Sequence, residues 1–270
     1  MNTRRLAVAG LALFASAALG LTGCSEKPST GGGLNGAGSS SSPSPTAAAP
    51  KDAVLASTKV LKEQPFKYTI SSDGLTGTGI ADPVAKKTKL GMKGVQSGLS
   101  ITFDFVLIGD DFWLKMDLGG KNSLANIPTK FMHIDPAKLK DKGAFGFSTS
   151  QADPAGADAL FQGLVDAQRT DATHYSATLD LTKIGAGSSV DESTVTKLGD
   201  KAKAVPATIT LDDKGRLSTL KIDLSAAGPD ATVTITYSEY GTPVTVAQPA
   251  KSDTIEAPQN VYDMFNTTKS

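Results

Sequence analysis

Residues 99–117 read LSITFDFVLIGDDFWLKMD, and their alternation decides the fold. Leu99, Ile101, Phe103, Phe105 and Leu107 fall on one side of an extended chain, with Ser100, Thr102 and Asp104 on the other. Side chains alternate across a strand with period two, so this run describes a strand with one apolar and one polar face. After Gly109-Asp110-Asp111 the alternation resumes, with Phe112, Leu114 and Met116 opposing Trp113, Lys115 and Asp117. Two such runs joined through Gly and Asp predict a β-hairpin.

The same alternation recurs outward from this hairpin. Phe66, Tyr68 and Ile70 alternate with Lys67, Thr69 and Ser71, and later runs follow at 175–181, 205–211, 220–224 and 233–237. Asp212-Asp213-Lys214-Gly215 supplies a tight turn, with Gly215 free to take positive φ. One-sided alternation implies an antiparallel sheet with one covered face. Helical signals are fewer. Asp153-Pro154 offers an N-cap and an N1 proline ahead of Ala157, Leu160, Phe161, Leu164 and Val165 at helical spacing. Ser189 with Glu192 fits a capping box before Val195 and Leu198, and 52–63 and 257–265 are expected helices. The fold class expected is α+β: one domain over 51–270, with about ten strands in a large curved antiparallel sheet and a few helices on its concave face.

The N-terminus addresses localisation. Arg4 and Arg5 precede an apolar run from Leu6 to Leu21, and Leu21-Thr22-Gly23-Cys24 closes it. Residues 1–23 therefore read as a signal peptide. The tetrapeptide resembles the lipobox of bacterial lipoproteins, which places diacylglyceryl modification on Cys24, the single cysteine of the chain. Two or more acyl chains hold a protein on a bilayer where one does not. Residues 24–50 follow as an acylated Cys and a Gly/Ser/Pro-rich linker with too little apolar surface to order. A flexible linker of this length reaches about 25 to 30 Å. The expected location is the outer face of the cytoplasmic membrane, with the chain held there by its N-terminal lipid anchor.

Charge and motif content exclude several chemistries. With 27 basic and 27 acidic side chains, the chain lacks the positive excess that nucleic-acid binding needs. His133 and His174 have no zinc-ligand spacing, so no metal is expected. G-x-S-x-G, H-E-x-x-H and the P-loop signature are all absent. Gly74-Leu75-Thr76-Gly77-Thr78-Gly79 reads as a hairpin because no helix follows it, and Asp110-Asp111 and Asp212-Asp213 read as turn carboxylates. His133 reads as a structural strand histidine, and the Asn266-Thr267-Thr268 sequon carries little weight in a bacterial lipoprotein. The reading is of a protein that is not an enzyme and carries no cofactor.

Three stretches carry a family resemblance: residues 110–115 (DDFWLK), 205–217 (VPATITLDDKGRL) and 233–244 (VTITYSEYGTPV). With the lipobox, the linker and the single Cys, they resemble the LppX/LprG type of actinobacterial envelope lipoproteins, whose fold is LolA-like. The resemblance implies a half-barrel sheet wrapped over helices and an apolar cavity for acylated lipids or lipoglycans as cargo. It also implies a partner in the membrane, such as an exporter. Phe103, Phe105, Leu107, Phe112, Leu114 and Met116 are the candidates for the cavity lining. Alternation alone does not separate a hollow interior from a packed one. Trp113, on the opposite face from Phe112, reads as a rim or partner contact or as a partly buried strand residue. The alternative function is a non-catalytic sensor or interaction module that binds a membrane-protein partner.

Overall fold

The structure, a computed structural model, describes residues 48–72, 74–96, 98–139, 153–184, 187–229 and 231–267. The signal peptide, Cys24, most of the linker and part of the sequon lie outside the described residues. Twelve strands form one sheet: β1 (Phe66–Ser72), β2 (Leu75–Asp82), β3 (Lys87–Gln96), β4 (Leu99–Ile108), β5 (Asp111–Asp117), β6 (Phe131–Ile134), β7 (Leu164–Arg169), β8 (His174–Leu179), β9 (Val205–Leu211), β10 (Leu217–Asp223), β11 (Thr232–Ser238) and β12 (Thr254–Glu256). Their spatial order is β12-β6-β5-β4-β3-β2-β1-β11-β10-β9-β8-β7. Every neighbouring pair is antiparallel except β12 with β6. Antiparallel neighbours need only short turns, and the consecutive pairs from β1 to β5 are joined by them.

The expected hairpins form where the turn chemistry placed them. Phe105 pairs with Leu114 and Ile108 with Asp111, so Gly109, at φ 63°, and Asp110 make the turn. In the β9–β10 turn the Asp212 carboxylate accepts from the backbone N–H groups of Lys214 and Arg216, and Gly215 takes φ 73°. The glycine-rich stretch after residue 73 enters β2, as a hairpin requires.

Among the described residues four α-helices accompany the sheet: α1 (Pro50–Ala56), α2 (Ala157–Leu160), α3 (Glu192–Leu198) and α4 (Gln259–Thr267). Val54 of α1, Leu160 of α2, Leu198 of α3 and Val261 of α4 share one buried cluster with the inward residues of the strands, so the helices cover a single face. Two helical expectations need correction. The run expected as a helix through Val165 ends after one turn and a 3₁₀ turn, and Leu164 and Val165 open β7. The backbone explains this: the Asp180 N–H donates to the Gly163 carbonyl at 2.7 Å, and a Cβ on Gly163 would stand 2.3 Å from the Asp180 oxygen. That clamp feeds the chain into pairing with β8. The N-cap of α3 is Asp191, which accepts from the Thr194 N–H at 2.8 Å, while the Ser189 hydroxyl donates instead to the Ala155 carbonyl. An ionised cap at a helix N-terminus also complements the helix dipole. Residues 52–63 form α1 and then a 3₁₀ turn, Lys59–Lys62.

After β11 the chain turns at Glu239 and Gly241, both at positive φ, and the Gly241 N–H donates to Pro65. Residues 242–250 then run without regular structure, and Val246 packs on Val106 and Trp113, on the sheet face opposite the helices. Lys130 Nζ donates to the Ser252 carbonyl at 2.8 Å before β12 pairs with β6. Beyond it, Val261 and Tyr262 of α4 enter the main core. The C-terminal chain thus passes from one face of the sheet to the other around the β6 edge. At the opposite edge, α1 packs on β7 and Lys51 Nζ donates to the Val165 carbonyl at 3.0 Å. Covering an edge strand with a helix discourages pairing with a further chain.

Candidate functional site

The six lining candidates occupy adjoining rows on the helix-covered face. Pairing aligns these rows across the strands, because cross-strand partners project to the same side. One row contains Phe66, Ala81, Leu107, Phe112 and Ile134, and the next contains Tyr68, Gly79, Leu90, Phe105, Leu114 and Met132. Both are closed: Leu90, Leu114 and Met132 are fully buried and Phe105 is 7% exposed. The third row contains Ile70, Gly77, Met92, Phe103 and Met116. Here Ile70, Met92 and Phe103 are only half-buried. Apolarity thus continues along the face while coverage falls away.

Aromatic stacking ties the closed rows to the open one. The Phe103 and Phe105 rings lie 6.0 Å apart and the Phe105 and Phe112 rings 6.1 Å apart, the latter pair within 4° of parallel. Gly77 and Gly79 form a bare strip on β2 between these rows. A Cβ on Gly77 would stand 3.1 Å from both Leu90 Cδ1 and Met92 Cγ, and one on Gly79 only 2.2 Å from the Tyr68 ring. Glycine in a strand interior weakens the strand, and here it lets neighbouring side chains lie flat on the backbone.

A cleft of about 250 Å³ is lined by Ser72, Leu224 and Val233 together with Ser189, Asp191 and Lys197. None of the six candidates lines it. Ser72 pairs with both Leu75 and Val233, so the cleft lies at the end of the strands toward which the rows open.

Two aspartates are buried among the described residues, Asp153 and Asp180, and Asp153 is the one bonded to a core tyrosine. Asp153 is 4% exposed; it accepts from Tyr237 Oη at 2.8 Å and from the backbone N–H groups of Ala155 and Asp158. Burial raises its pKa, against the lowering effect of these hydrogen bonds. Burial also pushes the Tyr68 and Tyr237 hydroxyls well above the usual tyrosine value, and the nearby Asp153 charge adds to this.

Trp113 is neither a rim contact nor partly exposed. It is 4% exposed, buried under the chain's own Val246, with Ile80, Ile108 and Phe131 packed around the pair. His133 stacks against Trp113 at 5.3 Å, and both its ring nitrogens face carboxylates, Asp111 at 3.1 Å and Glu256 at 3.3 Å. It bridges β5, β6 and β12 and faces away from the core. His174 hydrogen-bonds Asp171 and Thr173 at the start of β8. Among the described residues, no three His, Cys, Asp or Glu side chains could hold a metal ion, and no helix is long and apolar enough to cross a membrane.

Three features had a weak sequence signal. Gly77 and Gly79 resembled an ordinary hairpin and Asp153 a helix cap, while Val244 and Val246 alternate over too short a stretch to show a period. No protein-family model matches the chain, and no curated protein does.

Proposed function

We propose that the protein is a membrane-anchored lipoprotein that binds acylated envelope lipids or lipoglycans on the helix-covered face of its sheet and carries them across the cell envelope. In this reading the open twelve-stranded sheet is the half-barrel of an LppX/LprG-type, LolA-like carrier. Cys24 bears the anchor at the outer face of the cytoplasmic membrane, and a membrane exporter is the partner. No catalytic group is required. Each methylene taken from water contributes about 0.8 kcal/mol, so an apolar surface that replaces water lowers the barrier to moving an acyl chain.

The observation that carries the reading is the graded third row. Ile70, Met92 and Phe103 extend the apolar face beyond its closed part, over a glycine strip and toward an open cleft. Met92 and Met116 add unbranched side chains that re-pack around irregular ligands. The test is native mass spectrometry with organic extraction on the full chain, expressed in an actinobacterial host. About one acylated lipid per protein, displaced by Met92→Trp, is the expected result. Lipid-free protein throughout would refute the reading.

A further inference from the structure

Tyr68 and Tyr237 stand side by side on paired positions of β1 and β11, both buried. Tyr237 donates to Asp153. The Tyr68 hydroxyl, also buried, has no hydrogen-bond partner among the described residues. Its ring leans the other way, across β2, where a Cβ on Gly79 would meet its Oη at 2.5 Å. The hydroxyl therefore ends on the glycine strip, beside Leu90 and one row from the half-buried Ile70 and Met92. A buried hydroxyl left unpaired is costly, and a fold that retains one in an apolar face has a donor to offer.

We propose that the Tyr68 hydroxyl donates a hydrogen bond to the ester carbonyl of an acylated ligand whose chain runs along the half-buried third row of Ile70, Met92 and Phe103. The assignment rests on the lipid-binding reading above and specifies its ligand chemistry. A neutral carbonyl is the fitting acceptor. Asp153 lies close enough to act on Tyr68 electrostatically, and burial already disfavours its ionised form, so a free carboxylate at the hydroxyl would add a second buried negative charge. Entry of the ligand requires the half-buried Met92 to swing aside, which breaks no strand ladder. The site thus selects ester-linked acyl chains over ether-linked chains of equal length and over free fatty acids.

The experiment compares dipalmitoyl phosphatidylglycerol with its dihexadecyl ether analogue, each supplied to the full chain in mixed vesicles, for wild type and Tyr68→Phe. Wild type is expected to prefer the ester by about 3- to 10-fold, the value of one hydrogen bond, and Tyr68→Phe to bind both equally at the ether level. An ester preference that survives Tyr68→Phe, or equal wild-type binding of the two, overturns the assignment while leaving lipid binding intact. Binding of neither lipid by wild type overturns the lipid reading itself. Ligand-free Tyr68→Phe gives an independent readout. Its denaturation midpoint is expected to rise, because an unpaired buried hydroxyl is removed; a fall would mean that the hydroxyl has a partner within the protein and would overturn the assignment.

Discussion

Substituting Gly79 by alanine tests the inner face most directly, because the structure predicts the sign of its effect in two backgrounds. The added Cβ would stand 2.2 Å from Tyr68 Cζ and 2.6 Å from Cε1, so the ring must retreat by about 1.3–1.8 Å to reach ordinary contact. It has little room: Tyr68 is 1% exposed and packs against Phe66 with centroids 6.0 Å apart. Overpacking of this kind costs about 1–3 kcal/mol, offset by the roughly 0.5–1 kcal/mol that alanine gains over glycine in a strand. Gly79→Ala should therefore destabilise the wild type by about 1–2 kcal/mol. Leucine at position 68 stops short of the Cε and Cζ positions where the clash occurs. In a Tyr68→Leu background the same substitution should stabilise, by about 0.5–1 kcal/mol. Tyr68→Phe keeps Cζ and should give no relief. Urea unfolding of the four proteins of the cycle reads the coupling, expected at about 2–3 kcal/mol. An equal cost of Gly79→Ala in both backgrounds would show that the ring does not lie across β2.

Other outcomes follow from the remaining contacts. Val246→Asp should redden the fluorescence of Trp113, the only tryptophan, and cost about 1–3 kcal/mol by placing a carboxylate against the Val106 and Trp113 cluster; an unshifted spectrum would mean that residues 242–250 do not cover the ring. Leu114→Ala, at a fully buried position in the second row, should lower stability by about 2–5 kcal/mol in the same urea assay, and a cost below 1 kcal/mol would indicate a loosely packed row. Asp171 is held at about 2, against 3.8 for a free aspartate, by the Thr173 N–H and then by the His174 ring and N–H. A carboxyl whose pKa is lowered on folding contributes stability above its unfolded value and loses it as pH falls through the folded one, here from about 4 to 2. Asp171→Asn should flatten the stability profile in that window, and an unchanged slope would count against the hydrogen bonds. Cys24→Ser should move the protein from the membrane fraction to the soluble one if the lipobox reading holds; retention would point to another anchor.

The parts of this fold written as local chemistry were legible in the sequence. The β4–β5 hairpin follows from Phe and Leu at alternate positions around Gly109, and the β9–β10 turn from an Asp able to bond two backbone N–H groups. What escaped depended on distant partners. β3 alternates Lys87, Lys89 and Lys93 with Thr88, Leu90 and Met92, but Gly94 interrupts the apolar side and Gly91 the polar one. β7 has helical spacing, and only the clamp between Gly163 and Asp180 turns it into a strand. β12 is three residues long, too short to show a period. The six lining candidates were identified as one face, and they do share it. Alternation could not show that Phe103 is half-buried while Leu114 is sealed, since coverage depends on what packs above. Tyr68 read as one more apolar alternate, because nothing local marks a hydroxyl as lacking a partner.

The two ends of the described chain dock on opposite edges of a single sheet: α1 on β7, and β12 with α4 beside β6. Tension between a tethered N-terminus and a load at the C-terminus would therefore pass through the strand ladders in series, and the first to yield would be the weakest. That ladder is the three-residue pairing of β12 with β6, whose partners are Thr254 with Phe131, Ile255 with Met132 and Glu256 with His133. It would act as a mechanical fuse: under pull, residues 239–256 would peel off as slack and uncover Trp113 while the remaining strands held. In single-molecule pulling between the termini, this would register as a short early extension step before the main rupture; a single rupture without that step would show that the edge yields together with the sheet.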